Sequence, residues 1–153
     1  MEIREFKETD LKEVKNFIDR SLKEELSGGQ QKLPDNNLNN LRQIYEADKN
    51  IFLIVEEEEK IIAVIGVLNE SNDVALIRRF FIHRGYRGRN IEDTLLHRVI
   101  DFCRIKSYKR ILFRSTGRMK AVINLFLKNG FMEKERQNMG EREIVELIYK
   151  IKS

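Results

Sequence analysis

Residues 81–93, FIHRGYRGRNIED, set three arginines, Arg84, Arg87 and Arg89, and two glycines between an apolar segment and the start of a helix-like one. Arginines at that density suit an anion, because a guanidinium fork matches two phosphate oxygens at once and keeps its charge throughout the physiological range. Arg78 and Arg79 precede them, and no carboxylate occurs between Val74 and Ile91. Glycines before a helix would complete a phosphate cradle, since backbone N–H groups and the helix dipole converge there. Asn90, Glu92 and Asp93 allow a second reading. Asn is a favoured N-cap and first-turn carboxylates offset the dipole, so the turn could satisfy its own donors without a ligand.

Other residues of chemical interest have ordinary explanations. His83 and His97 are the only histidines: His83 falls beside the basic loop, and His97 on the polar side of the following helix. Cys103 lies on the apolar arc of that helix, which predicts a packed thiol rather than a nucleophile. As the only cysteine it excludes an intrachain disulfide and any cysteine-based zinc site, and it fits a reducing, cytoplasmic setting. The run Glu56–Glu59 reads as the solvated tip of a hairpin, because four adjacent side chains cannot converge on one cation. No metal site is expected.

The elements that must position these residues follow from periodicity. A chain of 153 residues with 41% hydrophobic content predicts one compact domain, 1–153. Ile3–Phe6 reads as a strand, and Thr9 or Asp10 as the cap of a helix whose apolar residues are Leu11, Val14, Phe17, Ile18 and Leu22. SGGQQKLPDNN reads as a loop, and LNNLRQIYEA as a second helix. NIFLIV and IIAVIGVL are interior strands of a hairpin, and VALIRRFFI is a fourth strand. The basic loop then leads into a helix over 91–106, with Ile91, Leu95, Val99 and Phe102 on one side. KRILFRS is a fifth strand, MKAVINLFLKNG a helix closed by Gly130, and the remainder a hairpin turning at Asn138–Gly140. The expected fold is mixed α/β, a mainly antiparallel sheet with helices on both faces. The longest apolar run, Ile61–Leu68, is far short of a membrane span, and MEIREFKETD is unlike a signal peptide. A formal charge of +4 does not imply nucleic acid, and the basic loop lacks a recognition motif.

That order, together with IREFKETDLKEV, IHRGYRGRNIEDTLL and NLFLKNGF, resembles the GNAT superfamily of acyl-CoA-dependent N-acyltransferases over nearly the whole chain. The family's loop pattern is Arg or Gln, two residues, Gly, one residue, then Gly or Ala. Arg87 takes its first place, Asn90 the place of the Gly and Glu92 that of the Gly or Ala, while Gly88 matches a common family residue. Asn90 is tolerable there, because asparagine visits left-handed backbone conformations more readily than most residues. Glu92 would sit on the apolar arc of the helix, where a phosphate should approach.

The resemblance implies acetyl-CoA, or another acyl-CoA, as cosubstrate. It would be held by main chain near Phe81 and Ile82, by Arg87, Gly88, Arg89, Asn90, Ile91 and Glu92, and at Phe126. A primary amine on a small molecule, a protein N-terminus or a lysine would be the acceptor, and a homodimer is an assembly the resemblance allows. Residues 26–45 would face the acceptor. No catalytic side chain can be assigned: Leu76 and Arg114 stand where the family often has a glutamate base, Phe126 where it has a tyrosine acid, and Met119 where some members have an asparagine. Leu76, Met119 and Phe126 equally suit a core. The other function the residues allow is a GNAT-fold binding or regulatory module that has lost its hold on CoA.

Overall fold

The computed structural model describes residues 1–26, 40–116, 119–140 and 142–152. The stretch SGGQQKLPDNN, the start of LNNLRQIYEA and much of the segment expected to face an acceptor lie outside the described residues. The elements are β1 (Glu2–Glu5), α1 (Leu11–Leu26), α2 (Leu41–Tyr45), β2 (Ile51–Glu57), β3 (Lys60–Ser71), β4 (Val74–Ile82), α3 (Ile91–Ile105), β5 (Arg110–Thr116), α4 (Lys120–Lys128), β6 (Met132–Met139) and β7 (Arg142–Lys150). This is the order expected from periodicity. The strands form a mixed, mostly antiparallel sheet in the order β1-β2-β3-β4-β5-β7-β6. β4 and β5 are the parallel pair, in register over Val74–Leu76 against Arg110–Leu112. Among the described residues no helix is long and apolar enough to cross a membrane.

The chain divides into two compact units, Met1–Gly66 with Arg79–Arg89, and Val67–Arg78 with Asn90–Ser153. The first is built on the apolar face of α1. Val14, Phe17, Ile18 and Leu22 pack with Leu41, Phe52, Ile54, Ile61, Val64 and Phe81, and Leu11 joins from the edge. The helical spacing of these α1 residues is what creates that face. At its start the expected cap is replaced by a tighter device. Glu8–Asp10 forms a 3₁₀ turn, and the Asp10 carboxylate accepts from the Lys7 N–H at 2.8 Å instead of capping α1. Arg4 grips the same carboxylate with two hydrogen bonds of 2.8 Å each and also reaches Glu56 at 3.2 Å.

The β2–β3 connection corrects the reading of the acidic run. Only Glu58 and Glu59 make the turn, both with positive φ of 50° and 66°. Glu56 and Glu57 belong to β2, the first paired with Arg4 and the second with Tyr86. Arg79 also takes a left-handed conformation inside β4, at φ 54°, and its guanidinium meets the Tyr45 hydroxyl at 3.4 Å. Nothing in the local sequence signals that kink.

In the second unit α3 buries Ile91, Leu95, Leu96, Val99, Ile100 and Cys103. Phe126 of α4 is fully buried, stacked on Phe113 at 4.2 Å and met edge-on by Phe131. Gly130 follows the helix with φ 97°, a left-handed residue at the stop expected of it. The closing hairpin turns at Gly140, whose φ is 70°.

Candidate functional site

The basic loop begins where β4 ends. Phe81 is buried and Ile82 half-buried, and the His83 N–H donates to the Ile62 carbonyl at 2.7 Å, which fixes the strand end on β3. Arg84–Tyr86 then makes a single 3₁₀ turn, closed by the Tyr86 N–H on the His83 carbonyl at 2.9 Å. His83 Nδ1 accepts from the Gly85 N–H at 3.0 Å, so the imidazole caps this turn in the tautomer that carries its proton on Nε2. Arg84, Arg87 and Arg89 are all exposed, and Arg84 reaches Glu24 at 4.0 Å. Arg89 lies over the Tyr86 ring, 5.2 Å from its centroid.

Two left-handed residues turn the chain into α3. Gly88 has φ 79°, and a Cβ built there would meet nothing within 4 Å, so backbone freedom and not space is what glycine supplies. Asn90 has φ 66° and ψ 7°, the conformation its residue type tolerates best among non-glycines. Asn90 occupies the N-cap position, yet its side chain makes no cap hydrogen bond. The expectation of a side-chain cap is therefore corrected. Capping requires an extended N-cap backbone, and the left-handed one turns the side chain away from the amides it would have to satisfy. The Asn90 carbonyl instead accepts from Thr94, at 3.1 Å from its N–H and 2.8 Å from its hydroxyl.

The first-turn carboxylates behave differently from one another. Asp93 points to the end of α4, accepting from Asn129 Nδ2 at 2.9 Å and pairing with Lys128 at 3.2 Å. The Asn129 hydrogen bond, with help from Lys128, holds its carboxyl below the usual range. Asp93 thus stays charged but is tied away from the loop, and His97 joins the same group through Asn129 Oδ1 at 2.9 Å. Glu92 is half-buried with its Oε1 removed from solvent, as its position on the apolar arc implies, while Ile91 beside it is buried. Opening N–H groups of a helix have no intrahelical acceptor, and the positive end of the dipole of α3 lies at Ile91–Asp93.

The positions where the resemblance implies catalytic side chains are occupied by structural ones. Leu76 is buried, and Met119 is half-buried as the residue before α4, less enclosed than a core residue. Arg114 pairs with Glu146 across β5 and β7 at 2.8 Å and with Glu70 at 3.5 Å. Burial pushes the Glu146 carboxyl up, but Arg114 and Lys134 outweigh it and leave the group below its usual range, a poor proton acceptor. Cys103 is fully buried and burial pushes its thiol up to about 12, which makes it inert. Among the described residues no three His, Cys, Asp or Glu side chains are grouped to hold a metal ion.

The acetyltransferase (GNAT) family profile matches residues 15–131. The chain belongs to the GNAT family. A GNAT acetyltransferase from Staphylococcus aureus superposes with a TM-score of 0.85 at 21% identity, over 99% of each chain. A putative acetyltransferase from Salmonella typhimurium, solved with acetyl-CoA, superposes with a TM-score of 0.81 at 15% identity, covering 100% of this chain and 95% of its own. These likenesses establish a GNAT fold. A probable N-acetyltransferase, camello, from Xenopus tropicalis is 27% identical over 82 residues, which is 52% of this chain and 37% of that protein. The matched stretch spans little more than a third of this relative's length.

In the GNAT chain, residues 81–92 form one continuous run, whereas Phe126 lies in the core of the second unit. Tyr86 and Glu57 escape sequence reasoning, because a tyrosine among arginines carries no periodic signal and its partner is on another strand. The one available hint is that Tyr86 is the sole aromatic residue between Phe81 and Phe102.

Proposed function

We propose that this GNAT domain, residues 1–153, is an N-acetyltransferase that passes an acetyl group from acetyl-CoA directly to a primary amine, on a small molecule or on a protein. The observation that carries this reading is the backbone of Gly88 and Asn90. Both are left-handed, at φ 79° and 66°, where the chain enters α3, and the three arginines of the same loop, Arg84, Arg87 and Arg89, are exposed. Asn90 leaves the opening amides of α3 uncapped by its side chain, and Asp93 is tied elsewhere. The loop therefore suits a diphosphate better than it suits closure on itself.

Arg87 and Arg89 would meet phosphate oxygens, and the N–H groups of Gly88, Asn90, Ile91 and Glu92 would line the cradle. Main chain at Phe81 and Ile82 would hold the pantetheine arm, and Phe126 keeps only the role the family resemblance implies for it. Bound there, acetyl-CoA would supply a thioester: a bond from the amine nitrogen to the acyl carbon would form as the carbon–sulphur bond breaks, with CoA leaving as thiolate and the surplus amine proton passing to that thiolate or to water. No side chain is assigned as acid or base. Proton transfer by a positioned group typically adds about 10²–10⁴ in rate, whereas holding two reactants in place can supply about 7–11 kcal/mol. A GNAT domain with Phe126 and Arg114 at the acid and base positions would be slow but active.

Calorimetric titration with acetyl-CoA, paired with a melting curve, tests the reading. Saturable binding and a raised Tm are expected, since a ligand that binds only the folded state stabilises it. The absence of heat and of any Tm change at millimolar acetyl-CoA would refute it and leave a GNAT-fold module that has lost CoA.

A further inference from the structure

Between Ile82 and Ile91 every residue of the basic loop is exposed except Tyr86, which is half-buried. Three holds keep it there. Its N–H closes the turn on the His83 carbonyl at 2.9 Å, its ring is met by the His83 ring at 5.5 Å and 79°, and its hydroxyl bonds to Glu57 at the end of β2. Arg89 lies across the ring so fixed. The bond to Glu57 holds the phenol above its ordinary range, which keeps the hydroxyl protonated and donating.

Resting on the acetyl-CoA reading above, we infer that Tyr86 is the positioning residue of the phosphate loop: anchored on Glu57, its ring holds the Arg89 guanidinium at the entrance to α3, so that Arg89 meets a phosphate already oriented. A long arginine side chain loses rotamer freedom when it clamps an anion. Lying on a rigid ring removes part of that loss beforehand, and the ring's negative face attracts the guanidinium at the same time.

The assignment separates Tyr86 from a residue that merely shapes the loop. A positioning residue acts through Arg89, so its contribution must vanish when Arg89 is gone. Acetyl-CoA dissociation constants measured by calorimetry on the full chain decide this. A cation over an exposed ring is worth about two- to fivefold in affinity, so Tyr86→Ala should weaken binding by about that factor or more. Tyr86→Phe, which keeps the ring, should recover most of the loss. In an Arg89→Ala background, Tyr86→Ala should change nothing further. Equal losses from Tyr86→Ala with and without Arg89, or no loss from Tyr86→Ala in a protein that melts normally, would overturn the inference while leaving the transferase reading intact. Failure of the unmodified protein to bind acetyl-CoA overturns both. Should Tyr86→Ala fail to fold, Tyr86→Leu with and without Arg89 carries the test: equal losses in the two backgrounds refute the inference.

Discussion

Replacing Glu92 by Gln removes the one carboxylate that the first turn of α3 keeps near the proposed phosphate cradle. The side chain is half-buried with Oε1 out of solvent, so its field is less screened than that of a surface glutamate. Two unit charges about 6 Å apart at an effective dielectric near 20 repel by about 3 kcal/mol. Partial exposure and salt reduce this to about 1–2 kcal/mol, or roughly 5–30-fold in affinity. Glu92→Gln should therefore bind acetyl-CoA about 5–30-fold more tightly. Gln keeps the shape of the side chain, and the fold should lose no more than about 1 kcal/mol from the weaker interaction with the helix dipole. Calorimetry gives the affinity and thermal melting the stability. Asp93→Asn is the control, because that carboxylate is bound to Asn129 and Lys128: stability should fall, by about 1 kcal/mol, with acetyl-CoA affinity unchanged within twofold. A Glu92→Gln protein that binds no better than the parent would show that no phosphate sits on this turn.

Asp10→Asn should cost about 2 kcal/mol at neutral pH by breaking the twin contact with Arg4, read from urea unfolding. Arg4 holds the Asp10 carboxyl below its ordinary value of 3.8, so this stabilisation is complete above that pH and disappears as pH falls through the lower folded value; the gap between the two proteins should close only in that acid window. The paired change Glu58→Asn with Glu59→Gly should raise Tm by several degrees, since both positions have positive φ and Asn-Gly is the favoured two-residue hairpin turn; an unchanged or lower Tm would contradict the left-handed turn. Cys103 should resist thiol reagents in the native protein at pH 8 and react only on unfolding, because it is buried with a thiol pushed up to about 12.

The order of elements was legible because burial leaves a period in the chain: 3.6 for α1 and α3, unbroken apolar runs for β2 and β3. The left-handed backbone at Asn90 was compatible with its residue type, but the letters equally allowed the extended backbone of a capping asparagine. What escaped depends on partners distant in sequence. Whether Asn90 caps α3 is decided by its backbone angle, whether Asp93 faces the loop is decided by Asn129, and the role of Glu57 by Tyr86. The acidic run looked uniform as letters, but strand register assigns Glu56 to Arg4, Glu57 to the loop, and Glu58 and Glu59 to the turn. Arg114 illustrates the same limit, as its hold on Glu146 comes from the pairing of β5 with β7.

The bend at Asn90 has a consequence for anyone hunting GNAT domains by eye. A fingerprint written in glycines tests for smallness, while the chain needs only a residue willing to turn left. Asparagine can satisfy the geometry while failing the spelling, so cofactor loops will be overlooked wherever the alphabet is trusted above the torsion angle.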